Sequence, residues 1–206
     1  EVRMLESPDQ QLSLTDPDAR VMSTAARSKA IVGYNVQAAV DTKHHLIVAH
    51  EVTNVGHDRA QLCNMSLQAK EAINCNVLTV VADRGYFNGE EILACEEASI
   101  TAYVPKTQTS NNQARGLFGR RDFIYRANDN EYECPAGERL SYRFTTQDKG
   151  KTVHRYWSSA CPRCRLKKQC TTAVYRRVKR WEHEAVMEAM EDRVDRMPDC
   201  MRIRGS

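Results

Sequence analysis

Two aspartates stand where strand-like runs end. Asp16 closes Gln11-Leu12-Ser13-Leu14-Thr15, and Asp83 closes the nearly continuous apolar run Val77-Leu78-Thr79-Val80-Val81-Ala82. Carboxylate oxygens are hard donors suited to Mg²⁺ or Mn²⁺. Two such cations about 4 Å apart activate an attacking oxygen and stabilise a leaving one in phosphoryl transfer. Neighbouring strands at the centre of one sheet would bring residues 16 and 83 face to face. Each acid also has a plainer reading: Asp16 before Pro17 as a turn former, and Asp83 before Gly85 as the organiser of a strand-to-helix loop. Asp18 competes with Asp16 for the first position. Asp41 falls in a hairpin turn, and Asp58, with Gln61 three residues on, reads as a helix cap.

A second chemistry resides in the cysteines. Cys134, Cys161, Cys164 and Cys170 follow the spacing C-x26-C-x2-C-x5-C, and a C-x2-C pair with two further thiols can close a tetrahedral Zn²⁺ site. An iron–sulfur cluster uses the same ligands, unligated thiols are the bland alternative, and His154 or His183 could replace one sulfur. Cys63, Cys75 and Cys95 sit singly in apolar surroundings and read as small buried hydrophobes.

The net charge is only +3, yet Arg163, Arg165, Lys167, Lys168, Arg176, Arg177, Lys179 and Arg180 follow one another without an intervening acid. With Tyr175 and Trp181 interleaved, this run suits the phosphates of double-stranded DNA, in sequence-independent and salt-sensitive contacts. A solvated basic face is the competing reading.

The elements that must position these groups follow from periodicity. A short strand is expected over residues 11–16, then a hairpin over Tyr34–Val40 and Leu46–Val52. A helix should start near Arg59, a doubly buried strand cover Val77–Ala82, a helix open at Asn88 with Glu91 completing a capping box, and a strand cover Ile100–Val104. Three strands followed by helix-linked strands predict an α/β fold with an RNase H-like mixed sheet. Beyond Lys106 the composition turns polar, with strand-like pieces at Phe123–Arg126, Leu140–Phe144 and Val153–Trp157, and helical spacing returns over Glu182–Met197. The expected organisation is therefore a core in residues 1–106, a basic Cys-rich insertion in 107–180, too poor in apolar residues to fold without a staple, and a helix in 181–206. With 206 residues, 41% of them hydrophobic, one ordinary core and one small module are what the chain can bury. Neither a membrane span nor a leader is legible, so a cytoplasmic location with reduced thiols is expected.

Together, Thr15-Asp16-Pro17-Asp18-Ala19-Arg20, Gly33-Tyr34-Asn35-Val36-Gln37 with Val40-Asp41, Asp58 with Gln61-Leu62, Val81-Ala82-Asp83-Arg84-Gly85-Tyr86 and Tyr103-Val104-Pro105-Lys106 closely resemble the DDE transposases of bacterial insertion sequences. Tyr132-Glu133-Cys134-Pro135-Ala136-Gly137 and the later cysteines extend the resemblance over nearly the whole chain. It implies an RNase H-like catalytic domain, a divalent metal held by Asp16 and Asp83 as first and second carboxylates, and movement of a DNA element with terminal inverted repeats. A homo-oligomer is left open for the full-length protein. The family needs a Glu on a later helix, after a stretch like Met201-Arg202-Ile203-Arg204. Glu182, Glu184, Glu188 and Glu191 precede that place and are not nominated. The chain opens at Glu1 without Met and stops at Ser206, so it reads as truncated at both ends and inactive alone. A non-catalytic DNA-binding remnant and a plain metal-dependent nuclease are the alternatives.

Overall fold

The computed structural model describes residues 13–23, 30–106, 111–197 and 199. The chain divides into two compact units, Glu1–Thr107 with Val186–Ser206, and Gln108–Ala185.

In the first unit no strand forms over residues 13–16; Gln11 and Leu12 lie outside the described residues. The cause is local. The Asp18 amide donates to Asp16 Oδ1 at 3.1 Å and the Ala19 amide to the Asp16 carbonyl at 3.2 Å, so the backbone turns at Pro17 before any ladder begins. The first strand, β1 (Arg20–Ser23), follows that turn and pairs antiparallel with β2 (Ala30–Gly33).

The expected hairpin is present as β3 (Asn35–Val40) and β4 (Ile47–Thr53). Its turn is organised by Asp41, whose Oδ2 accepts the His44 amide at 2.7 Å. That bond holds the Asp41 carboxyl below its usual range. Side chains alternate between faces along a strand, but here the buried face carries the polar residues: Gln37 is 2% exposed and Val36 66%. Small Ala39 and Ala49 on the inner face leave room for Met65 and Ala69.

Those two residues belong to α1 (Leu62–Ala72), whose buried positions Leu62, Met65, Ser66 and Ala69 follow helical spacing. The helix begins three residues later than expected, after a 3₁₀ turn over Asp58–Ala60. Gln61 provides no side-chain cap; instead Glu91 Oε2 accepts the Cys63 amide at 2.9 Å, satisfying an orphan donor and placing negative charge at the helix start. Glu91 lies on α2 (Gly89–Glu97). Asn88 caps that helix as expected, through the Glu90 amide, while Glu91 serves the neighbouring helix.

Strands β5 (Leu78–Val81) and β6 (Ile100–Tyr103) pair in parallel. β5 is half-buried with Thr79 exposed, so the doubly buried strand expected there is not found, whereas Ile100 and Ala102 of β6 are fully enclosed. Leu62, Ile92, Cys95, Ile100, Ala102 and Val104 form the core, completed by Val186, Met190 and Val194 of the C-terminal helix (Glu184–Arg196). The unit is thus mixed α/β. Among the described residues its strands join as three separate pairs, short of the single mixed sheet that an RNase H-like order requires.

The second unit is a five-stranded antiparallel meander: β7 (Ile124–Arg126), β8 (Glu131–Glu133), β9 (Arg139–Asp148), β10 (Lys151–Trp157) and β11 (Val178–Trp181), each paired with the next. A short helix, α3 (Lys167–Cys170), precedes β11, which makes the C-terminal helix α4. The β9–β10 hairpin closes through Lys149 and Gly150, at φ +54° and +80°, the left-handed pair that a type I′ turn demands. Its core is largely aromatic: Phe123, Tyr132, Leu140, Tyr156 and Val178, with the Tyr132 and Tyr156 ring centroids 5.1 Å apart, edge to face. β8 and β11 were not legible in the sequence.

Candidate functional site

Asp83 begins the 3₁₀ turn Arg84–Tyr86, and its Oδ1 accepts the Gly85 amide at 2.7 Å. Asp58 is not a helix cap. Its Oδ1 accepts Asn35 Nδ2 at 2.9 Å and Gln37 Nε2 at 2.7 Å, both from the polar face of β3. Tyr86 Oη in turn donates to Gln37 Oε1 at 2.5 Å, so one relay runs from the turn after Asp83, through a buried amide, to Asp58. Both carboxylates lie close to Gly85. A Cβ there would stand 2.8 Å from Asp83 Oδ1 and 3.5 Å from Asp58 Oδ2, so the two oxygens are separated by no more than the sum of those distances. Burial pushes the Tyr86 phenol up, and the charges of Asp58 and Asp83 push it further. The inversion of the hairpin now has a purpose: β3 presents Asn35 and Gln37 inward to orient an acid.

Asp16 is held by a different set. Both its carboxylate oxygens accept Tyr34 Oη, at 3.1 and 2.9 Å, and its amide donates to Ser13 Oγ at 3.1 Å. The hydrogen bond to the Asp16 carboxylate raises the Tyr34 phenol above its ordinary value. Tyr34 immediately precedes Asn35, so consecutive residues grip Asp16 and Asp58. The acid that faces Asp83 across Gly85 is Asp58, which sequence reasoning set aside as a cap. The signal that could have found it is the pair of amide side chains at Asn35 and Gln37, on the face of β3 opposite its valines. Among the described residues no three His, Cys, Asp or Glu are arranged to hold a metal.

In the second unit the basic run divides by strand alternation. On β11, Val178 and Arg180 point inward and Lys179 outward. Arg180 is 7% exposed, with its guanidinium 3.7 Å from the Tyr125 ring centroid and Nη1 donating to Tyr132 Oη at 3.2 Å. Arg176 is half-buried, 5.0 Å over the Phe123 ring, and donates to the Phe118 carbonyl. Lys167 is half-buried and donates to the Val174 carbonyl at 2.9 Å. Arg163, Arg165, Lys168, Arg177 and Lys179 are exposed; Arg177 lies 5.5 Å over the Trp157 ring and Lys179 pairs with Asp148 at 2.9 Å. Sequence reasoning missed Arg143, which is exposed and stacks 5.4 Å from the same Trp157 ring. Cys134, Cys161, Cys164 and Cys170 line one cavity with Arg176. Burial pushes the Cys170 thiol up, Arg176 draws it down, and the other three sulfurs push it up further.

Carboxylate oxygens near a strand-to-helix turn are hard donors of the type that divalent cations accept. The family described as transposase DDE domain matches residues 9–204, and the chain belongs to that family. Comparison with curated proteins and with solved structures gave no match. Family membership points to transposition, to DNA as substrate and to a divalent cation such as Mg²⁺. Among the described residues no helix is long and apolar enough to cross a membrane.

Proposed function

We propose that the chain performs its part of the metal-dependent phosphodiester cleavage and strand transfer that move a DNA element bounded by terminal inverted repeats. The observation that carries this reading is the approach of Asp83 and Asp58 to one point beside Gly85. Their oxygens suit a hard cation, and the missing Cβ leaves room next to them. Asp83 and Asp16 are the proposed second and first carboxylates of an RNase H-like core, with Asp58 close to Asp83 at Gly85. When bound, Mg²⁺ or Mn²⁺ supplies charge neutralisation at the scissile phosphate. The chain's own residues do the rest: Asn35 and Gln37 fix Asp58, Tyr86 fixes Gln37, and Tyr34 holds the Asp16 turn.

The second unit is proposed to grip DNA through Arg163, Arg165, Lys168, Arg177 and Lys179, with zinc as its structural ion. Homo-oligomerisation and a cytoplasmic setting complete the reading. A second reading, a non-catalytic DNA-binding remnant, is favoured by the absence of a three-carboxylate arrangement among the described residues. Under the first reading, oligonucleotides carrying inverted-repeat ends bind the chain more tightly with Mn²⁺ than without, and Asp83→Asn removes the difference. Under the second, binding is indifferent to Mn²⁺ and to that substitution. Because no three carboxylates are arranged to hold a metal among the described residues, the 206-residue chain alone should show little cleavage in Mg²⁺; rapid cleavage would refute that part.

A further inference from the structure

We infer that the second unit is built around a tetrathiolate zinc site formed by Cys134, Cys161, Cys164 and Cys170, with Arg176 as the cation that offsets its charge. This rests on the structural role proposed for zinc above, and is independent of the phosphoryl chemistry. Four observations carry it. First, residues far apart in sequence reach one cavity of about 30 Å³, more than the roughly 10–15 Å³ that a single water needs. Second, three of the four sulfurs sit on two similar tight turns. Both Cys134-Pro135-Ala136-Gly137 and Cys161-Pro162-Arg163-Cys164 begin Cys-Pro, and the fourth amide of each returns to the first carbonyl, at 2.8 and 3.3 Å. Gly137, at φ +79°, permits the first turn. Third, Cys170 arrives from the end of α3, supplying the fourth donor of a closed site.

The fourth observation is Arg176, whose Nε is buried and has no hydrogen-bond partner while its guanidinium lines the same cavity. A buried unsatisfied N–H is costly. Four thiolates around Zn²⁺ leave two net negative charges, and a thiolate sulfur is an acceptor that a guanidinium can satisfy. Among the described residues the four thiols are not already arranged as ligands, so binding would have to draw them together. On binding, each sulfur gives its proton to solvent and forms one bond to zinc.

The test uses the whole chain, purified without chelator. One zinc per chain is expected by elemental analysis, and Co²⁺ exchanged into the protein should give the intense visible bands of tetrahedral thiolate coordination. Cys161→Ser with Cys164→Ser should lose the metal; Arg176→Gln should keep it but release it to a chromogenic chelator about tenfold or more faster, as loss of an outer-shell partner does. Arg176→Lys should restore much of the retention. Metal-free chain whose four thiols all react rapidly with a thiol reagent, and which gives no cobalt bands, would overturn the site. Stoichiometric iron with a brown chromophore would overturn the choice of zinc, and an unchanged release rate in Arg176→Gln would overturn the role of Arg176. None of these readouts depends on DNA cleavage, so failure here leaves the reading of Asp83 standing.

Discussion

Asp58 illustrates how one side chain's role is set by what its oxygens face. With Oδ1 bound by Asn35 and Gln37, its other oxygen lies near Gly85, an arrangement that a capping residue would not need. Asp58→Asn should therefore weaken Mn²⁺ binding about tenfold or more, as expected when a group adjoining a metal is lost, with little effect on folding; titration followed by the electron paramagnetic resonance of free Mn²⁺ measures it. Gly85→Ala should weaken binding similarly, because its Cβ would stand 2.8 Å from Asp83 Oδ1 and displace that short side chain. Asp83 stands out in the sequence as an acid closing an apolar run before Arg-Gly-Tyr. Asp58 does not, because Asp followed by Gln three residues later is also what a helix start looks like, and only the fold reveals that Glu91 caps that helix instead. The Asp41 turn has a pH signature. Its carboxyl is held below the ordinary value by the His44 amide, so the stabilisation is present above the unfolded-state pKa and is lost as pH falls through the lowered one. Protection of the His44 amide from hydrogen exchange should fall over that acid range, and should be absent in Asp41→Ala.

At the scale of elements, period and composition place the β3–β4 hairpin, both helices of the first half and the last helix within a few residues. They do not say which face of the hairpin is buried. Val36, Val40, Ile47 and Val52 form an exposed apolar face while Gln37 is enclosed, so the ordinary rule of apolar inward was overridden by the need to hold Asp58. The strand expected before Asp16 failed for a similar local reason, the side-chain turn at Asp16 and Pro17. In the C-terminal helix, Met190 is fully enclosed among Leu62, Ile92 and Val104. Met190→Ala should cost about 2–5 kcal/mol, measured by urea unfolding of the first unit's signal. Met197, on the same helical spacing but 51% exposed, should tolerate the same change. On β11 the alternation predicts a matching split: Arg180→Ala should destabilise the second unit by removing a cation from between Tyr125 and Tyr132, whereas Lys179→Ala should change DNA binding more than stability.

For the whole molecule, the proposed reading divides the labour between the two units. The first carries the acids, the second the exposed cations and the cysteine cavity, and family membership unites them in transposition. Charge reasoning from sequence found the basic run but counted all eight cations as one surface. The fold turns Arg180 inward by alternation along β11 and half-buries Arg176 over the Phe123 ring. Replacing Arg163, Arg165, Lys168 and Arg177 with Gln should reduce the slope of log affinity against log salt by roughly four contacts' worth, about 0.9 per phosphate, whereas Arg180→Gln should leave the slope unchanged. The most direct test of the central claim is Mn²⁺ titration of the intact chain. Saturable binding that is abolished by Asp83→Asn and sharply weakened by Asp58→Asn is predicted; equal Mn²⁺ uptake by the parent and by both variants would contradict it.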